Sequence, residues 1–160
     1  MVKPAKRRTT SHQCKLMTIE FGNVGRLNTG GSGWFIGYGP WIHDEQDACP
    51  ALRYMAEDCL ARAVQMKWMV HPAGDDRGGG KPPSVGRTLS ILVSQTGGFC
   101  LEFAPTAAFD AERLISHRLC SHGDYVLWGA DLHHRWFVDS DSTILTLRWA
   151  PETPPVQRSF

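Results

Sequence analysis

From Ala63 onwards, apolar and polar positions alternate with a period of two, the pattern of strands that bury one face. In the stretch Val64 to His71 the alternation sets Lys67, Met69 and His71 on one face and Trp68 and Val70 on the other. Thr88 to Ser94 alternates small polar with aliphatic residues, Gln95-Thr-Gly-Gly98 has turn chemistry, and Phe99 to Phe103 alternates again, which predicts a β-hairpin. Three further strands follow at Tyr125 to Trp128, His133 to Val138 and Thr143 to Trp149, separated by the turn signals Gly129-Ala-Asp131 and Asp139-Ser-Asp-Ser142. His134, Trp136 and Val138 share one face. Arg148 stands opposite Leu145, Leu147 and Trp149, which predicts an exposed charge.

The remaining segments carry weaker patterns. Met17 to Phe21 predicts a short extended stretch, and the turn formers Asn28 to Gly33 break it. Those glycines lack the Lys-Ser/Thr ending of a phosphate loop and lead into Trp34-Phe-Ile36 rather than a helix, so a phosphate cradle is not expected. Asp44 to Leu60, with Pro50 at a first-turn position, reads as a short helix or a structured loop. Pro72 to Gly86, rich in Gly and Pro, reads as a loop. Ala107 to Leu119 fits either a brief helix over Ala107 to Leu114 or a loop leading into a strand. Many short strands at close intervals predict an all-β sandwich or barrel rather than βαβ units.

Length and charge narrow the choice. The 160 residues suit one domain, expected over residues 17–151 between a disordered basic tail at 1–16 and a Pro-containing tail at 152–160. Seventeen Lys and Arg against sixteen Asp and Glu give a net charge of +1, which calls for neither nucleic acid nor a membrane surface as partner. Lys3, Lys6, Arg7 and Arg8 are followed by no apolar run of the kind a signal peptide or membrane anchor needs. Five cysteines, an odd number without C-x-x-C spacing, argue against a disulfide framework or a zinc knuckle and fit a reducing cytoplasm.

The stretch Gly123-Asp-Tyr-Val-Leu-Trp-Gly129-Ala-Asp-Leu-His-His134 resembles the second motif of the cupins, with Gly129 and Asp131 in place of its proline and second glycine and His134 at its histidine. In the more degraded first motif, His71 matches the second histidine, Met69 occupies the first, and Thr88 stands at the glutamate. Gly33-Trp-Phe-Ile-Gly37, Lys67-Trp-Met-Val-His71-Pro-Ala-Gly and Thr88-Leu-Ser-Ile-Leu-Val look like a family of small bacterial cupin-like proteins, over roughly Met17 to Pro151. The resemblance implies a single-domain cupin-type jelly-roll β-barrel, all-β, with a short helical or loop segment near the N-terminal third. Some members of that family carry the label signal peptidase I, but neither an apolar anchor nor a serine paired with a lysine is visible here.

Two functions follow from that resemblance. In one, His71, Thr88, His134, Trp136 and Lys67 line a barrel interior that binds a small molecule, Trp136 packing on a flat or apolar body. In the other, a divalent Fe, Mn, Ni or Zn ion sits on His71, His134 and Asp75, and a dioxygenase, isomerase or lyase uses it to polarise a substrate oxygen. Only two of the four cupin ligand positions survive, so Asp75 or Asp76, and His133 or His122, would have to complete such a site. His133 should point away from His134. The bland readings stand beside these: satisfied core histidines, tryptophans that only fill a core, and Lys67 solvated at a frayed strand end. Exposed strand edges also allow a homodimer.

Overall fold

A computed structural model describes residues 19–38, 52–55 and 59–152. The basic tail over 1–16, most of the segment expected to be helix or loop over 44–60, and all but the first residue of the tail over 152–160 lie outside these described residues. Within the described part the chain is all-β. Its strands are β1 (Ile19–Asn23), β2 (Gly37–Tyr38), β3 (Tyr54–Met55), β4 (Leu60–His71), β5 (Arg87–Leu92), β6 (Thr96–Ala104), β7 (Ile115–Ser121), β8 (Asp124–Trp128), β9 (His133–Ser140) and β10 (Ser142–Glu152). The ambiguous stretch before β7 holds one 3-10 turn, Ala111–Arg113, followed by the strand. Where the segment over 44–60 is described, it forms β3, paired in parallel with β2, and no helix.

The strands form a five-stranded sheet in the order β1-β8-β5-β10-β4 and a three-stranded sheet in the order β7-β6-β9, with every pairing in both antiparallel. From β4 onwards the chain passes back and forth between the two sheets in the winding of a jelly roll. The structure corrects the expected barrel, because the two sheets do not close on each other. The loop after β4 would have to supply the fourth strand of the smaller sheet, yet it pairs with β9 only at the single bridge of Asp76 with Phe137. Its composition explains this: Gly74, Gly78 and Gly80 take positive φ, and Pro82 and Pro83 have no N–H to donate. The predicted hairpin is also corrected. β5 pairs with β8 and β10, whereas β6 pairs with β7 and β9, so the turn between them carries the chain from one sheet to the other.

Both faces of the larger sheet are packed over its inner strands β8, β5 and β10, which accounts for its unusual sequence. Leu92, Val126, Trp128 and Ile144 face Phe99, Leu101, Phe103 and Val138 of the smaller sheet in one core. Leu89, Ile91, Tyr125, Leu127 and Trp149 face the other way, into a second core covered by Phe35, Ile36, Leu52 and Met55. Polar ties hold that cover down: Glu20 accepts from the buried Arg53 and from the Tyr125 hydroxyl, each at 2.6 Å, and Arg87 donates to the carbonyls of Leu52 and Tyr54. The outer edge strand β4 leaves Val64, Met66, Trp68 and Val70 exposed on the face opposite Lys67 and His71. No helix among the described residues is long and apolar enough to cross a membrane.

Candidate functional site

Between the two sheets lies a cavity of about 650 Å³. Register builds its wall. On the inner face of the larger sheet, Gln65, Arg148, Thr88 and Trp128 stand side by side across β4, β10, β5 and β8. Lys67, Thr146 and Ser90 form the next row, and Met69, Ile144 and Leu92 the one after. The wall therefore grades from polar to apolar along the strands. From the smaller sheet, Trp136 pairs with Leu101, and His134 pairs with Phe103. The structure brings Lys67, His71, Thr88, His134 and Trp136 to this one cavity, together with Arg77 and Arg148. Asp75 stands behind His71 and does not line it.

His134 is 6 % exposed and its environment keeps it neutral. Burial, first, and then the positive charges of Arg77 and Arg148 push its pKa down to about 4, against a smaller opposing effect from the Leu132 carbonyl. Arg77 lies with Nη1 2.6 Å from Nε2 of the ring; a guanidinium can only donate, so Nε2 accepts and the ring proton sits on Nδ1. Ser84 Oγ lies 3.2 Å from Nδ1 and also accepts the indole N–H of Trp128 at 2.7 Å. Ser84 is buried and its backbone bonds Leu132 and Asp131, so it locks the loop after β4 against the turn before β9.

His71 is 2 % exposed at the end of β4. Its Nδ1 lies 2.7 Å from Asp75 Oδ2, and its ring meets Trp136 edge-on at 4.6 Å and Phe99 at 5.0 Å. Asp75 is fixed in turn by the chain: Val138 N–H donates to its carbonyl, and Gly74 N–H donates to the carbonyl of Val138. With Nδ1–H donating to the carboxylate, Nε2 of His71 is left without a hydrogen-bond partner among the described residues, on a ring that lines the cavity.

Three cations share this space. Burial, and then Arg77 and Arg148, lower the pKa of Lys67, while Asp75 works the other way; burial and Arg148 lower that of Arg77. Arg148 donates from Nε to the Thr88 hydroxyl at 3.3 Å. Among the described residues, none of the three has a carboxylate within the 4.0 Å of an ion pair.

The donor set does not fit a divalent metal ion. Among the described residues, no three of His, Cys, Asp and Glu are grouped so as to hold one. Nε2 of His134 is occupied by a guanidinium, and Lys67, Arg77 and Arg148 would repel a cation brought to the same place. The substitutes considered from the sequence lie elsewhere. Asp76 caps Gly78 N–H, His122 lies at the Val93 carbonyl, and Nδ1 of His133 is buried without a partner among the described residues.

Two members of the cation cluster escape a reading of periodicity. The alternation that put Arg148 opposite Leu145, Leu147 and Trp149 is correct, but Leu147 and Trp149 pack in the second core, and Arg148 faces the cavity. The expected exposed charge is thus corrected: with both faces of the sheet covered, the more apolar face of β10 is not the one turned toward the cavity. Arg77 sits in a loop without any period, and nothing in its local sequence marks it. Lys67 reaches the cavity while keeping much of its surface in water.

No family model matches the chain, and no curated protein sequence matches it. Among solved structures, a cupin domain from Bordetella pertussis is similar with a TM-score of 0.38 and 14% identity, over 57% of this chain and 90% of that one. A likeness that remote assigns nothing, and the site is read from its own geometry.

Proposed function

We propose that the chain binds a small organic anion, a carboxylate or phosphate ester with an apolar or aromatic body, in the cavity between its sheets. One observation carries this reading: Lys67, Arg77 and Arg148 line one cavity and, among the described residues, no carboxylate stands within ion-pair distance of any of them. Three like charges held at partial burial raise the free energy of the empty site, and an anion relieves that cost. Asp75, turned toward His71, offsets only part of the charge. The body of the ligand has its own partners, since Trp136, Phe99 and Leu101 lie at the apolar part of the wall. A cavity of about 650 Å³ has the volume of sites that hold a compact ring compound.

Titration of the protein with phenylpyruvate, phenyl phosphate and phenethylamine tests the proposal, read by tryptophan fluorescence because Trp128 and Trp136 line the cavity. One or both anions are expected to bind, more weakly with rising salt and at least ~10-fold more weakly in an Arg148→Gln variant, as expected for loss of a charged partner. The relative affinity of the two anions distinguishes a carboxylate from a phosphate ligand. Binding of the amine as tight as that of the anions, or no binding of any of the three, contradicts it.

A further inference from the structure

The anion reading leaves one group at the cavity without a task. His71 is almost wholly buried, yet one ring nitrogen makes no hydrogen bond among the described residues, while the other is held by Asp75 at 2.7 Å. A carboxylate on Nδ1 fixes the tautomer and orientation of an imidazole and stabilises the cation formed when Nε2 takes a proton. Of the other protein groups that could take that role, the geometry removes all but the Lys67 amine. His134 has its Nε2 occupied by Arg77, and no carboxylate, thiol or phenol lines the cavity among the described residues. Lys67, Arg77 and Arg148 are placed to hold negative charge that builds up on a bound molecule.

We infer that His71, oriented by Asp75, is a general base that abstracts a proton from a carbon next to the carbonyl of a bound 2-oxo carboxylate. This rests on the anion-binding reading. The C3–H bond breaks and an N–H bond forms at Nε2. The electron pair left on carbon becomes the C2–C3 double bond of an enolate, and the carbonyl oxygen takes the negative charge opposite the guanidinium and ammonium groups. Return of a proton from the same imidazolium to C3 restores the 2-oxo acid. Atoms and electrons balance with no oxidant, reductant or added cofactor, and the outcome is exchange at C3 or inversion of a stereocentre there. The charged and titratable groups around this step are Asp75 and Arg77 from the loop, Lys67 from β4, His134 from β9 and Arg148 from β10. The aromatic wall of Trp136 and Phe99 selects a substrate with an apolar tail.

The test is proton NMR of phenylpyruvate and of 4-methyl-2-oxopentanoate in D2O with the full chain, following loss of the C3 proton signal, with binding of each compound measured in parallel by tryptophan fluorescence. Exchange above the buffer rate is expected, falling at least ~100-fold in His71→Gln, the contribution of a general base. In Asp75→Asn the rate is expected to fall ~10-fold or more, and the acid limb of its pH–rate profile to move to lower pH, because the carboxylate that stabilises the imidazolium is gone. A purely structural Asp75 would lower the rate without moving the limb. Asp75 is partly exposed, so this variant keeps the test alive if His71→Gln fails to fold. Binding without exchange, or exchange undiminished in His71→Gln, overturns the base and leaves the anion site standing. Absence of binding by both compounds overturns the two together.

Discussion

Acidification should weaken the fold through one residue whose protonation the structure opposes. His134 takes a proton near 6.5 when unfolded but only near 4 when folded, because burial comes first and Arg77 and Arg148 add to it. Between those values the unfolded chain binds more protons than the folded one, so stability is full above about pH 6.5 and is lost as the pH falls toward 4. At ~1.4 kcal/mol for each pH unit between the two values, the loss amounts to about 3 kcal/mol at its full extent. That is a large part of the ~5–15 kcal/mol that holds a typical domain. The assay is urea denaturation at several values between pH 7.5 and 4, in the wild type and in His134→Gln, whose amide oxygen can still accept from Arg77. His117 also titrates low through burial, so the wild-type curve alone mixes contributions. The difference between the two proteins isolates His134, and the advantage of the wild type should shrink by about 3 kcal/mol across the range. Parallel curves, with a constant gap, would show that the ring is not held neutral by its surroundings and would refute the cationic cavity as the cause. An Arg77→Met variant should flatten the wild-type dependence only in part, since burial is the larger cause.

Three further outcomes follow from the packing. Gly97→Ala should cost ~1–3 kcal/mol in thermal or urea unfolding, because a Cβ there would lie 2.6 Å from Ser142 Oγ and 2.7 Å from Leu92 Cδ1, both on fully buried residues. Trp128→Phe should lower stability by ~2 kcal/mol, since it strips the buried Ser84 hydroxyl of its indole donor and leaves space beside Phe103; an unchanged urea midpoint would contradict this. Burial, then the neighbouring Asp139, pushes the Cys100 thiol up to about 11, so iodoacetamide at pH 8 should label the exposed Cys120 and leave Cys100 unmodified by peptide mass spectrometry.

Period-two alternation was a sound guide to strand positions and to which residues share a face. It set Lys67 with His71 and His134 with Trp136, and these four line the same cavity. It could not tell which face is which in a sheet buried on both sides. Leu145, Leu147 and Trp149 form the more apolar face of β10, yet Leu147 and Trp149 pack in the second core, whose cover is a segment with little periodicity of its own, Phe35, Ile36 and Leu52. Pairing partners were equally hidden. Thr88 to Ser94 and Phe99 to Phe103 look like a hairpin because hairpins and sheet-to-sheet corners use the same turn residues. Gly97 and Gly98 serve here for close approach to Ser142 and Ser140, not for a two-residue reversal. Arg77 was illegible for a different reason. Its place beside His134 is set by long-range backbone bonds, Arg77 N–H to the Trp136 carbonyl among them, and no local pattern encodes those.

The central claim is that the cation cluster between the sheets receives an organic anion. Crystals soaked in 4-bromobenzoate and measured at the bromine absorption edge test it most directly. The claim predicts an anomalous peak between the sheets, with the carboxylate toward Lys67, Arg77 and Arg148 and the ring against Trp136. Bromine only on the outer surface, or the ring turned so that its carboxylate faces away from all three cations, would contradict it.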